Sequence, residues 1–266
     1  MSDFQELVGL SKFVVEQFIQ RRSLVQIKGR PPKQSAREEV LFLFIHLRQY
    51  PVDIFLAVIE EQSKQTACNS RLRMLDWFYQ LLKERLSFHS LEWRLQRSFQ
   101  LFHTTYTFLL DGTEQPTVQS SDPFLDAQLF SAKSNQHCIT ILIFGSADGK
   151  KVLGLSFSFP GSVSDLSMMR KTLLEWKKEL TDNDWGLADA GFEGLEESGI
   201  NLTTVKPQSN SNPLLSSKRI EIEHLIERLK NWKALKYKLR ILPLNDPIQY
   251  HHKCWTIIAV LINDYC

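Results

Sequence analysis

A change of texture at Thr104 constrains this chain more than any other feature. Before it, apolar residues recur at helical spacing, glycines are few, and the breaks fall at Pro31-Pro32 and Pro51. After it, Thr104 to Leu110 is a β-branched and aromatic run that closes on Asp111-Gly112, which predicts a strand followed by a turn. The hydrophobic period switches at one point, so the expected organisation is an all-helical domain over residues 1–103 and an α/β domain over 104–266.

In the first part a leading helix is expected, then an exposed connector at Pro31-Pro32 among Lys28, Arg30 and Lys33. Helices should follow from Arg37 to Arg48, from Pro51, and from about Ser63, where Leu72, Leu75, Phe78 and Leu82 have the spacing of a core stripe. In the second part, Ile139 to Phe144 and Val152 to Phe159 flank the turn residues Ala147-Asp148-Gly149-Lys150 and read as a hairpin. A helix from Asp165 to Leu180, with Asp165 as its cap, precedes strands at Trp185 to Asp189 and Asn201 to Val205. Gln208 to Pro213 reads as a loop, and the chain is helical from Lys218 onward.

With 266 residues and 43% of them hydrophobic, the chain can build substantial cores. Its net charge of +2 neither requires nor excludes a nucleic-acid partner, so any such binding must come from local patches. Cys68, Cys138, Cys254 and Cys266 are scattered and form no C-x-x-C pair, which argues against a disulfide framework and a structural zinc site and points to a reducing, cytoplasmic compartment. Asp3, Glu6, Lys12 and Glu16 interrupt the amino terminus, so it does not read as a signal peptide. Cys254 to Ile262 is too short to span a bilayer and reads as a buried helix, and no membrane partner is expected. His251 and His252 are adjacent on that helix and diverge, which weighs against a shared zinc ion.

Two aspartates stand out. Asp111 follows an apolar run and has a glycine beside it, and Asp189 repeats the arrangement by closing Trp185-Gly186-Leu187-Ala188 before Ala190-Gly191. Acids at adjacent strand ends share a crevice, where they repel unless one is protonated or a hard cation such as magnesium or manganese is recruited. A third acid would come from the helix around Lys218 to Lys230, where Glu221 and Glu223 border the apolar stripe on opposite sides, and periodicity does not choose between them. Taken singly, each acid has an ordinary explanation as a turn residue or a solvated helix face.

Four strings in order carry a family resemblance: Leu109-Leu110-Asp111-Gly112-Thr113-Glu114, Pro160-Gly161-Ser162-Val163-Ser164-Asp165, Leu187-Ala188-Asp189-Ala190-Gly191-Phe192-Glu193-Gly194, and Arg219-Ile220-Glu221-Ile222-Glu223-His224 with Arg228-Leu229-Lys230. Together they resemble the DDE superfamily endonucleases of the PIF/Harbinger-like group, which includes many bacterial insertion-sequence transposases. The resemblance implies a ribonuclease H-like mixed sheet flanked by helices, and a carboxylate triad that holds two Mg2+ or Mn2+ ions. In the family's third motif the glutamate lies seven positions before the lysine, which selects Glu223 beside Asp111 and Asp189 and leaves Glu221 in reserve. It further implies DNA cleavage at terminal inverted repeats, strand transfer into target DNA, a homodimer or higher oligomer, and nucleoid association in a bacterial host.

The resemblance reaches the amino terminus, where Arg37 to Arg48 and Tyr50-Pro51 look like a preceding helix-turn-helix domain. Its recognition helix would be Ser63 to Leu72, with Lys64, Gln65, Thr66, Asn69 and Arg71 able to meet bases and phosphates of double-stranded DNA. Lys230, Lys233 and Lys236, in the basic run that continues to Lys238 and Arg240, could neutralise phosphates along a duplex. The chain departs from the family pattern at Phe130-Ser131-Ala132-Lys133, at Ile226-Glu227 and after His137, which keeps open a transposase-derived DNA-binding protein that no longer cleaves.

Overall fold

The computed structural model describes residues 3–25, 34–59, 61–195, 198–205, 213–240 and 246–266. The connector at Pro31-Pro32 and residues 208–212 of the expected loop lie outside the described residues. Among these, the first part is built of helices α1 (Asp3–Val8), α2 (Lys12–Ser23), α3 (Ala36–Gln49), α4 (Asp53–Ile59), α5 (Lys64–Leu82) and α6 (Leu91–Leu95). Their starts follow from local chemistry. Ser35 and Glu38 form a reciprocal capping box at α3, and Ser63 caps α5 by accepting from the Thr66 amide.

The all-helical reading of residues 1–103 holds until Phe99, where a short antiparallel hairpin begins: β1 (Phe99–Leu101) pairs with β2 (Thr104–Tyr106). The second part then adds β3 (Phe108–Pro116), α7 (Pro123–Leu129), β4 (Phe130–Ser131), β5 (Gln136–Ser146), β6 (Val152–Leu155), β7 (Phe159–Pro160), α8 (Asp165–Glu179), β8 (Trp185–Asp189), β9 (Asn201–Val205), α9 (Pro213–Lys230), α10 (Lys233–Lys236) and α11 (Pro247–Tyr265). The main sheet is mixed, with order β4-β5-β3-β8-β9, and β6 and β7 also pair with β5. β3 runs antiparallel to β5 and parallel to β8, and β8 is parallel to β9.

The strand at Asp111 differs from expectation. Asp111-Gly112 is no turn; β3 continues through it to Pro116 because β5 offers a pairing partner at every position from Phe108 to Pro116. The parallel pairing with β8, by contrast, is confined to Phe108, Leu109 and Leu110, opposite Gly186, Leu187 and Ala188. The two strands therefore part at Asp111 and Asp189, and a crevice opens at that point, as at the carboxyl ends of parallel strands in other open sheets.

Both faces of the sheet are covered, which explains the near-continuous burial of β5 from Cys138 to Ser146. Leu142 and Phe144 pack with Phe108, Leu110 and the α8 residues Met168, Met169 and Trp176. Ile139, Ile141 and Ile143 face the opposite way, with Leu109, Leu187 and the stripe Ile222, Leu225, Ile226 and Leu229 of α9. That second core runs on without a break through α11 into α2, α3 and α5, where Phe18, Phe44 and Phe78 form an aromatic cluster. The amino-terminal helices and the sheet thus share one hydrophobic core. No helix among the described residues is long and apolar enough to cross a membrane.

Candidate active site

Alternation along a strand puts Asp111 on the face of Leu109 and Asp189 on the face of Leu187, and both leucines belong to the core beneath α9. The two aspartates consequently stand on neighbouring parallel strands, on one face, one step beyond the last paired residues. Burial pushes the Asp111 carboxyl up to about 7, and the Asp189 charge adds to the shift; the Gly112 amide and Arg219 pull the other way, and Asp165 raises it further. A buried carboxyl beside a second one is a proton holder or a cation ligand.

Asp165 is a further acid near these two, and its sequence context suggested a helix cap instead. Ser164 supplies the cap of α8 by accepting from the Ser167 amide, which leaves the Asp165 side chain free to turn toward the sheet. A Cβ on Gly112 would overlap the Asp165 carboxylate, and one on Gly191 would lie 3.0 Å from Asp189 Oδ1 and 3.3 Å from Asp165 Oδ2. Asp165 thus lies close to Asp189 at Gly191 but meets β3 on the face of Gly112 and Leu142, opposite the face of Asp111. A serine directly before the aspartate was the available signal, since either residue can cap and only one is needed.

Each acid is turned to a local donor. Asp111 Oδ1 accepts from the Gly112 amide at 2.8 Å, Asp189 Oδ1 from the Gly191 amide at 2.9 Å, and Asp165 Oδ2 from Lys133 Nζ at 3.0 Å. Glu223 Oε1 pairs with Arg219 Nη2 at 2.6 Å, one turn back on α9. Among the described residues no group of three or more His, Cys, Asp or Glu side chains is arranged to hold a metal ion. The donors nevertheless suit a hard divalent ion in kind: carboxylate oxygens only, at least one of them penalised by burial and by its neighbours.

The structure separates the two glutamates that periodicity left equivalent. Glu221 packs on the turn between β5 and β6, where a Cβ on Gly149 would meet its Cβ at 2.8 Å. Glu223 lies on the side of α9 that carries Arg219 and Lys230, and the charges of both act with that of Asp111.

The expected DNA-contact residues divide similarly. Lys64, Gln65, Thr66 and Asn69 are exposed on the first turns of α5, with Gln65 donating to Asn69 at 3.0 Å. Arg71 is engaged elsewhere: it forms a largely buried ion pair with Asp53 that ties α5 to α4. Lys230 is half-buried, its ammonium donating to the Glu114 carbonyl at 3.1 Å, and burial lowers its pKa against the pull of Glu114 and Asp111. Lys233 donates to Gln49 Oε1 at 2.8 Å, and Lys236 is exposed. The adjacent histidines of α11 are structural: His251 is buried between Ser158 at 2.6 Å and the Trp255 indole N–H at 2.8 Å. Cys68, Cys138, Cys254 and Cys266 are all free thiols.

Residues 110–263 match the family model described as DDE superfamily endonuclease, a span that includes Asp111, Asp165, Asp189 and Glu223. A search of curated proteins found no match.

Proposed function

Because the chain belongs to the DDE superfamily endonucleases, we propose that it is a transposase of the PIF/Harbinger-like group, which cleaves DNA at transposon ends and joins the freed ends to target DNA. Asp111, Asp189 and Glu223 are the carboxylate triad of this reading, on a ribonuclease H-like sheet over 104–266 behind a helix-turn-helix domain over 1–103. The observation that supports it is the placement of Asp111 and Asp189 one step beyond the last paired residues of β3 and β8, with burial and the Asp189 charge raising the Asp111 carboxyl to about 7.

The chemistry that two bound Mg2+ or Mn2+ ions supply is activation of a water and neutralisation of a leaving 3′ oxygen. Asp111 and Asp189 would hold such ions from the sheet. Glu223, which here pairs with Arg219, would be the third ligand, and the Arg219 guanidinium beside it could meet a phosphate. In strand transfer the same carboxylates serve a 3′ hydroxyl in place of water. Lys64, Gln65, Thr66 and Asn69, exposed at the amino end of α5, read the duplex, while Arg71 fixes α5 to α4 through Asp53. Lys230, Lys233 and Lys236 add phosphate contacts, and two transposon ends brought together call for a homodimer or larger assembly.

The test is magnesium-dependent nicking and joining of supercoiled DNA that carries the repeats flanking the coding region. Asp189→Ala and Glu223→Ala should lose activity by about a thousandfold or more while retaining duplex binding, and Glu221→Ala should keep it. Wild-type cleavage by Asp189→Ala would remove the site; loss with Glu221→Ala and not Glu223→Ala would transfer the third role to Glu221. The Arg219 hold on Glu223, together with the departures at Phe130 and Ile226, supports a second reading. This is a transposase-derived protein that binds a specific duplex and shows no nicking at any magnesium concentration.

A further inference from the structure

Helix α4 presents its more apolar face to solvent. Asp53, Leu56 and Ala57 point inward and are buried, whereas Ile54, Phe55, Val58 and Ile59 point outward and, with Val52 just before the helix, are between 50% and 72% exposed. Helical spacing makes these one surface, because Ile54 with Val58 and Phe55 with Ile59 form two adjacent i, i+4 rows. The charged residue of α4, Asp53, is on the other side and is paired there with Arg71. A helix in solvent has a polar outer face, and one that is apolar all round is covered. We infer that this face of α4 is the surface through which two copies of the chain associate about a two-fold axis. The inference supplies an interface for the assembly that the proposed function calls for, and to that extent rests on it.

An isolated exposed leucine such as Leu174 of α8 is ordinary, but five large apolar side chains within eight consecutive positions are not. Area, symmetry and placement select a second copy as the occupant. At these exposures the five side chains offer roughly 500 Å2, at the upper end of what a monomer leaves open. Two such faces together bury about 1,000 Å2, the lower bound of a specific interface. A two-fold contact sets a patch against itself, so any charge would meet its like, and a face without charge is self-complementary. The face is also held ready: the Asp53–Arg71 pair ties α4 to α5, and Arg240 Nη2 donates to the Tyr50 and Pro51 carbonyls, both at 2.9 Å, at the entry to the helix. Lys64, Gln65, Thr66 and Asn69 lie outside the patch at the start of the next helix, so pairing through α4 leaves them to DNA and brings two such sets into one assembly.

Sedimentation of the full-length protein tests the interface. Wild type should be a dimer at micromolar concentration. Val58→Glu and Val58→Lys each place a charge in the middle of the apolar face and should weaken self-association about a hundredfold or more. The Val58 side chain is exposed, so both variants should unfold at the wild-type temperature and bind a single duplex as wild type does. Mixing the two variants in equal amounts should restore dimers, since opposite charges then face one another, which a surface packed against a different protein would not do. A monomeric wild type would overturn the inference and give the face to another partner. Dimers that persist in both variants, or variants that stay monomeric when mixed, would overturn it as well. The proposed function fails separately: wild-type dimers through α4 without magnesium-dependent nicking keep the interface and remove the nuclease reading, whereas a monomer that nicks and joins DNA does the reverse.

Discussion

Strand β8 has an aspartate at each end, and the two are in opposite chemical circumstances. Asp184, just before the strand, accepts from Arg94 Nε at 2.9 Å, from the Thr107 hydroxyl at 2.7 Å, and from the amide and hydroxyl of Thr181, both at 2.9 Å. Burial alone would raise its pKa, but these donors hold it below the ordinary carboxylate range. Asp189, at the other end, has the Gly191 amide as partner and faces Asp111 and Asp165. One acid is saturated with donors and serves the fold. The other has one backbone amide as its hydrogen-bond donor and stands next to a second carboxylate, an environment that favours binding of a proton or a cation.

The largest effect separating the two ends should be on stability. Asp184→Ala leaves the buried Arg94 guanidinium unpaired, so it should cost about 3–5 kcal/mol in denaturant unfolding, whereas Asp189→Ala should cost little or even stabilise the metal-free protein. Equal losses at the two positions would erase the distinction.

A smaller effect follows from pH. The folded-state pKa of Asp111 is raised from 3.8 to about 7, so between those values the unfolded chain releases a proton that the folded chain keeps. Stability of the metal-free protein therefore falls as pH rises from about 4 to about 7, and the penalty is complete above that. Asp111→Asn should be more stable than wild type by up to about 4 kcal/mol near pH 8 and little different near pH 4. The same increment at both pH values would mean that the effect is not one of ionisation. Asp184 has the opposite sign: its contribution is present above the unfolded pKa of 3.8 and is lost as pH falls through its lowered folded value.

The smallest effect concerns the space between the acids. Gly112→Ala puts a methyl against the Asp165 carboxylate, and since that contact lies at the first turn of α8, a shift of the helix end should limit the loss to about 1 kcal/mol. Denaturant unfolding measures it, and a loss of several kcal/mol would show that the start of α8 cannot shift.

Much of the frame was legible. The strands at Trp185 to Asp189 and Asn201 to Val205 and the helices at α3, α5 and α8 fall where period, caps and turn residues put them, because each is decided by neighbours in the chain. Asp111-Gly112 misled for the converse reason. The pair has the local chemistry of a turn, and only β5, paired with it along nine residues, keeps the strand going. The hairpin at Phe99 was likewise hidden beneath a helical pattern, and Arg71, which local sequence offered as a surface residue, is drawn inward by Asp53 on another helix.

The sequence by itself determined which residues can do the chemistry: two aspartates after apolar runs and a helix with paired glutamates. It left Glu221 and Glu223 equivalent by periodicity and gave Asp165 to a helix cap. The tertiary structure gives these side chains different surroundings, because those turn on distance across the chain. Gly149 takes up Glu221, the Asp111 field reaches the Glu223 side of α9, and Ser164 frees Asp165 to lean over Gly112. A carboxylate's charge acts through space, so which acids gather is set by packing and not by their order in the chain.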